Sequence, residues 1–216
     1  MMDELELLKK DWQKKDIDIP QLSYNDIYEM TWKKSSSIVK WILIISILEF
    51  TLPHLLFLIP SFQENMSIYE TIGLKKYFYS ISAIQYLVIF YFIYQFYQRY
   101  KEISVLEDAK TLMRKIIKTR KTVKNYVIFS LSMILFTVLV MIIGIYLNDD
   151  FVNSVSELKR NNNSMSPEKL KMALMIGIGV FGILLTLFMG GIYFLLYGRL
   201  LRKLNKNYRK LKQLEI

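Results

Sequence analysis

The chain has 216 residues, 53% of them hydrophobic, and 29 basic against 19 acidic side chains give a formal net charge of +10. That apolar share exceeds what an ordinary soluble domain carries. Cysteine is absent and histidine occurs once, at His54. This excludes disulfides, a thiol nucleophile, a Cys-ligated metal centre and any site built from several imidazoles. No metal and no cofactor is expected.

Residues 1–37 are polar, with eight acidic and six basic side chains. They lack the short apolar run after a basic start that marks a cleavable secretory signal. Met1, Leu5, Leu8 and Trp12 recur at spacings of 4, 3 and 4, the seam of a helix that meets another helix. Glu6 with Lys10 and Asp11 with Lys15 are acid-first pairs that support it. Pro20 in "IDIPQ" ends this helix. The next begins at "SYND", where Ser23 caps and Asp26 takes the third position of a capping box. It runs through "IYEMTWKK" toward the membrane, and "SSS" at 35–37 either bends it or continues it. With a net charge of −2, residues 1–37 are not drawn to an anionic membrane surface. They suit a soluble basic partner, or docking on the protein's own basic helices. Leu5, Leu8 and Trp12 would form the contact seam, with Tyr24, Ile27 and Tyr28 continuing it.

Four apolar runs follow, at about 38–59, 79–98, 125–147 and 172–198. Each is near the roughly 20 residues a helix needs to cross a bilayer core of about 30 Å. The expected fold is therefore all-α: a polytopic membrane protein with four transmembrane helices and helical cytoplasmic extensions. Residues 1–37, 99–124 and 199–216 hold 22 of the 29 Lys and Arg. If the spans alternate, these segments share one side, so both termini and the central loop are expected to be cytoplasmic. In the loop, "SVLE" offers a second capping box, Ser104 with Glu107, and one helix from about 105 to 147 would measure roughly 65 Å. Ser166 with Pro167 restarts the last span, and Leu200, Leu204, Leu211 and Leu214 extend it into the tail. The loop and tail each carry about +6, enough to hold them to anionic lipid at about 1 kcal/mol per basic residue. No direct nucleic-acid contact is expected. A homo- or hetero-oligomer is compatible with the sequence.

Glu49 lies near the centre of the first span, where an unpaired charge is costly. Counting inward from the span ends brings Tyr86, Thr137 and Thr186 to about its depth, a candidate intramembrane polar layer. Its roles divide between a structural carboxyl that fixes helix register and a proton or ligand site. Gly182 and Gly190 flank Thr186 at spacings of four, and Gly144 follows Thr137 by seven, the small-residue pattern of close helix packing. His54 follows Pro53 and lies about 140° around the helix from Glu49, so a kink with a satisfied histidine is expected rather than a metal site. The Tyr-rich "YFIYQFYQRY" reads as an interfacial belt. "GIGVFG" follows no strand and reads as packing glycine rather than a nucleotide site.

"LELLKKDWQKKD" followed by "YNDIYEMTWKKSSSIVKWILIISILEF" resembles a family of bacterial four-span inner-membrane proteins. Members have at times carried the label of carotenoid oxygenase, but those enzymes hold iron with four histidines and this chain has one. The arrangement also resembles membrane-tethered anti-sigma factors, in which a short N-terminal cytoplasmic helical segment wraps a sigma factor. The resemblance covers roughly residues 1–50, and the typical zinc-binding His and Cys motif is absent. It implies an inner-membrane regulatory protein whose residues 1–37 sequester a sigma factor. The other readings are a small transporter or channel subunit using Glu49 and an accessory scaffold of a larger membrane complex. With no nucleophile–base pair in view, the chain is not expected to be an enzyme.

Overall fold

A computed structural model describes residues 23–56, 75–148 and 166–214. They form α1 (Tyr24–Leu56), α2 (Lys75–Ser104), α3 (Ala109–Leu147) and α4 (Pro167–Tyr193), which passes through one π-helical turn (Phe194–Gly198) into α5 (Arg199–Leu214). The described residues contain no strand. Four helical rods, the last made of α4, the π-turn and α5, are long and apolar enough to cross a membrane.

Local chemistry sets the ends. At the start of α1 the Asp26 N–H donates to Ser23 Oγ at 3.2 Å and the Ser23 N–H donates to Asp26 Oδ2 at 3.0 Å, a reciprocal capping box. The three serines continue the helix. Ser35 is buried, and its hydroxyl donates to the Thr31 carbonyl one turn back at 2.8 Å. Residues 24–37 are therefore one rod with the apolar stretch that follows.

The start of α3 differs from the sequence expectation. The cap is Asp108, whose Oδ2 accepts the Thr111 N–H at 3.1 Å. Ser104 instead ends α2, with its hydroxyl donating to the Lys101 carbonyl at 2.8 Å. The reason is the turn at residues 105–108, which folds α3 back along α2 and leaves no helix for Ser104 to cap. Glu107 pairs with Lys115 at 2.6 Å. The basic central segment is thus a tight helical hairpin. At α4, Pro167 takes the first turn, where its missing N–H costs nothing. The π-turn follows Gly190 and Gly191, whose carbonyls both accept the Phe194 N–H.

Along the bundle α1 packs on α2, α2 on α3 and α3 on α4, and α5 closes the set by packing on both α1 and α3. That closure lies at the basic end. There Val39, Ile42, Phe96, Ile103, Leu112, Ile116, Val123, Leu204 and Leu211 form the core. Polar bonds tie helix to helix across it. Trp32 Nε1 donates to the Ile103 carbonyl at 2.8 Å, and Lys115 Nζ donates to the Glu102 carbonyl at 2.7 Å. Arg120 donates to Asn205 Oδ1 at 2.8 Å, and Asn207 Nδ2 donates to Ser35 Oγ at 3.0 Å.

Candidate functional site

Glu49 stands in α1 four residues before Pro53. Proline has no N–H, so the Glu49 carbonyl lacks its usual helical donor, while the helix continues through Pro53 to Leu56. The side chain is held from the fourth rod. The Tyr193 hydroxyl donates to Oε1, and the Tyr197 hydroxyl donates to Oε2 at 3.1 Å. Tyr193 and Tyr197 are four residues apart, hence on one helix face, and both are buried. Tyr126 of α3 completes the cluster, its ring 6.4 Å from that of Tyr193 and 5.9 Å from that of Tyr197.

Beside this carboxyl lies a cavity of about 390 Å³. Its walls are mostly apolar, with Glu49, His54, Gln85, Tyr86, Ser130 and Thr137 among the polar side chains that reach it. Phe50, Phe129 and Tyr126 supply aromatic faces. On the α2 side His54 Nδ1 lies 2.6 Å from the Phe50 carbonyl and Nε2 lies 3.0 Å from the Tyr86 hydroxyl. A carbonyl only accepts, so Nδ1 carries the proton and Nε2 accepts from Tyr86. One tautomer satisfies both nitrogens. Among the described residues no group of three or more His, Asp or Glu is placed to hold a metal ion.

The four residues of the expected polar layer do not share one hydrogen-bond network. Glu49, Tyr86 and Thr137 border the cavity, whereas Thr186 is not among its walls. The Tyr86 hydroxyl goes to His54 rather than Glu49. Thr137 and Thr186 donate within their own helices, to the Met133 carbonyl at 2.9 Å and the Gly182 carbonyl at 2.7 Å. Although far apart around α1, Glu49 and His54 both reach the cavity, because it fills the arc between the α2 contact and the tyrosines of the fourth rod.

Gly182 is the tight glycine: a Cβ there would lie 2.6 Å from both methyls of Val138. Gly190 is looser, 3.9 Å from Leu131 by the same measure. Gly144 is buried, and its carbonyl accepts the Asn148 N–H at 3.2 Å. Of the partner seam, Leu5, Leu8 and Trp12 lie outside the described residues. Tyr24 is 49% exposed, Ile27 is half-buried, and the Tyr28 hydroxyl donates to the Glu107 carbonyl in the α2–α3 turn.

Tyr126, Tyr193 and Tyr197 were not singled out by sequence reasoning. The available signal was the i,i+4 pair of tyrosines in the last apolar run, polar tips on one face of a span that also carries Thr186. The family model described as Domain of unknown function (DUF8845) matches residues 25–216. The chain belongs to the DUF8845 family. No curated protein and no solved structure matches it. The DUF8845 match takes in Glu49, its tyrosines and the cavity, and begins after Leu5, Leu8 and Trp12.

Proposed function

We propose that this DUF8845 chain is an integral-membrane binding protein, of the transporter- or channel-subunit class, that takes a lipophilic cation between its helices with Glu49 as counter-charge. The observation that carries this reading is a carboxyl within an apolar rod, gripped by two tyrosine hydroxyls and bordering a cavity. A carboxylate inside a span is costly and marks a functional site by default. A mostly apolar pocket of this size with few convergent polar groups suits a small molecule. Aromatic faces at Phe50, Tyr86 and Phe129 favour a cation over a neutral guest. Equilibrium dialysis of tetraphenylphosphonium against the purified protein in detergent tests it. Glu49→Gln keeps the shape without the charge and should weaken binding at least about tenfold. Equal affinity of the two proteins would end the reading.

A second reading, sequestration of a soluble partner such as a sigma factor by the N-terminal segment, is supported by the exposed ring of Tyr24 at the tip of α1. It predicts that Trp12→Ala raises the same transcripts as deletion of the gene. An unchanged transcriptome in the deletion strain would remove it. Both readings place the basic end in the bacterial cytoplasm, following the Lys and Arg distribution. A cytoplasm-active reporter should then work when fused after Ile216 or inserted near Thr111, and fail near Asn162.

A further inference from the structure

A second hollow lies between α3 and the π-turn, with Tyr197 in its wall. It is a groove of about 620 Å³ whose chemistry changes along its length. Arg120, Lys121 and Lys124 line it toward the basic end, and Ile128 and Phe194 line it further into the apolar part. No acidic side chain borders it. Gly190 and Gly198 contribute backbone alone to its wall, so nothing from those positions fills it.

Two features show that this is more than a basic surface. Arg120 is fixed by its bond to Asn205, and the Arg202 guanidinium sits 4.9 Å from the centre of the Phe194 ring, a cation beside one of the wall residues. The apolar part is open: Ile128 is 53% and Phe194 58% exposed. Both lie in rods apolar enough to span a membrane. A cationic head region continuous with an open apolar channel fits a ligand that is anionic at one end and hydrocarbon at the other. A soluble anion would leave the apolar part unused. A π-turn in the wall accords with the concentration of such turns at functional sites.

We infer that this groove binds one anionic phospholipid, its phosphate on Arg120, Lys121 and Lys124 and an acyl chain along Ile128 and Phe194. The site is distinct from the Glu49 cavity and stands on its own observations. Tyr197 borders it and keeps its hydroxyl on Glu49.

The test is native mass spectrometry of the full chain in neutral detergent, titrated with phosphatidylglycerol or with phosphatidylcholine of the same acyl chains. Lys121 and Lys124 are exposed, so Lys121→Gln with Lys124→Gln leaves the core intact, and an unchanged melting temperature checks this. That pair should weaken the first phosphatidylglycerol by roughly tenfold or more. Lys206→Gln with Lys210→Gln on α5 removes the same charge from exposed positions outside the groove and should change it less than about twofold. Equal losses in the two double variants, or phosphatidylcholine binding as tightly as phosphatidylglycerol, would overturn the site and leave only diffuse attraction of basic helices for anionic lipid.

Discussion

The two ends of the bundle are held together by different means. At the basic end α5 packs on α1 and α3, the core side chains are buried, and hydrogen bonds from Trp32, Lys115, Arg120 and Asn207 cross between helices. Toward the far end large apolar residues such as Leu87, Leu139, Phe181 and Leu187 point outward, as lipid-facing side chains do. There α3 and α4 approach closely at Gly182, and the cavity opens between the rods. The membrane setting proposed above accounts for the difference. Water drives apolar side chains together, whereas lipid does not distinguish a neighbouring helix from its own acyl chains. Adhesion at the far end therefore rests on close packing and a few polar bonds, and space can be left for a ligand.

The sharpest way to break this comparison is a matched pair of truncations. Ile116 is fully buried at the basic end, and Ile116→Ala should destabilise by roughly 2–5 kcal/mol in SDS-titrated unfolding. Leu139→Ala, at an exposed far-end position, should cost within about 0.5 kcal/mol. Similar losses at both would show that the far end carries a core of its own. The glycines sharpen the second half of the contrast. Gly182→Ala drives a methyl into the branched Val138 side chain, which cannot swing away as a long flexible one would, and should cost about 1–3 kcal/mol. Gly177→Ala meets nothing within 4 Å and should be neutral or stabilising by up to about 1 kcal/mol. If both alanines behave alike, close approach at Gly182 is not what joins α3 to α4.

Glu49 sits where the two regimes meet. Glu49→Leu leaves the Tyr193 and Tyr197 hydroxyls without their acceptor and should cost about 0.6–2 kcal/mol, in the range of hydrogen bonds within membranes. Tyr197→Phe removes one donor and should cost less. A larger loss for Tyr197→Phe than for Glu49→Leu would mean that ring packing, not the carboxyl, holds this junction.

How far the sequence revealed all this differs between the same regions. Long apolar runs disclosed the helices, because few other patterns stay apolar for that length. The leucines of the tail disclosed α5, since Leu204 and Leu211 lie on one face and both are buried. The cap of α1 was legible because "SYND" offers one capping box. Before α3 the sequence shows the Ser104 with Glu107 pattern, and only the hairpin moves the cap to Asp108. The partners of Glu49 were hidden for another reason. Depth in the sequence is measured from the ends of apolar runs, but the rods extend beyond those runs, and α4 meets α1 with Tyr193 and Tyr197 level with Glu49 instead of Thr186. Chain composition does not record how far one helix is displaced along another.

The smallest expected effect belongs to the α2–α3 turn, and it separates the cap expected at Ser104 from the one found at Asp108. Hydrogen bonds from Thr111 hold the Asp108 carboxyl below the usual aspartate value. A group whose folded value is depressed stabilises the fold above its unfolded value, and that contribution is lost as pH falls through the folded one. Asp108→Ala should therefore lower the melting temperature slightly at neutral pH. The difference from the native chain should shrink on acidification below about pH 4. Ser104→Ala should be silent at every pH, because its hydroxyl only returns to the Lys101 carbonyl of its own helix. A pH-independent effect of Asp108→Ala would mean that the carboxylate charge does not contribute to the cap. A larger loss at Ser104 would move the start of α3 back to the first box, and with it the turn that lets Tyr28 reach the Glu107 carbonyl.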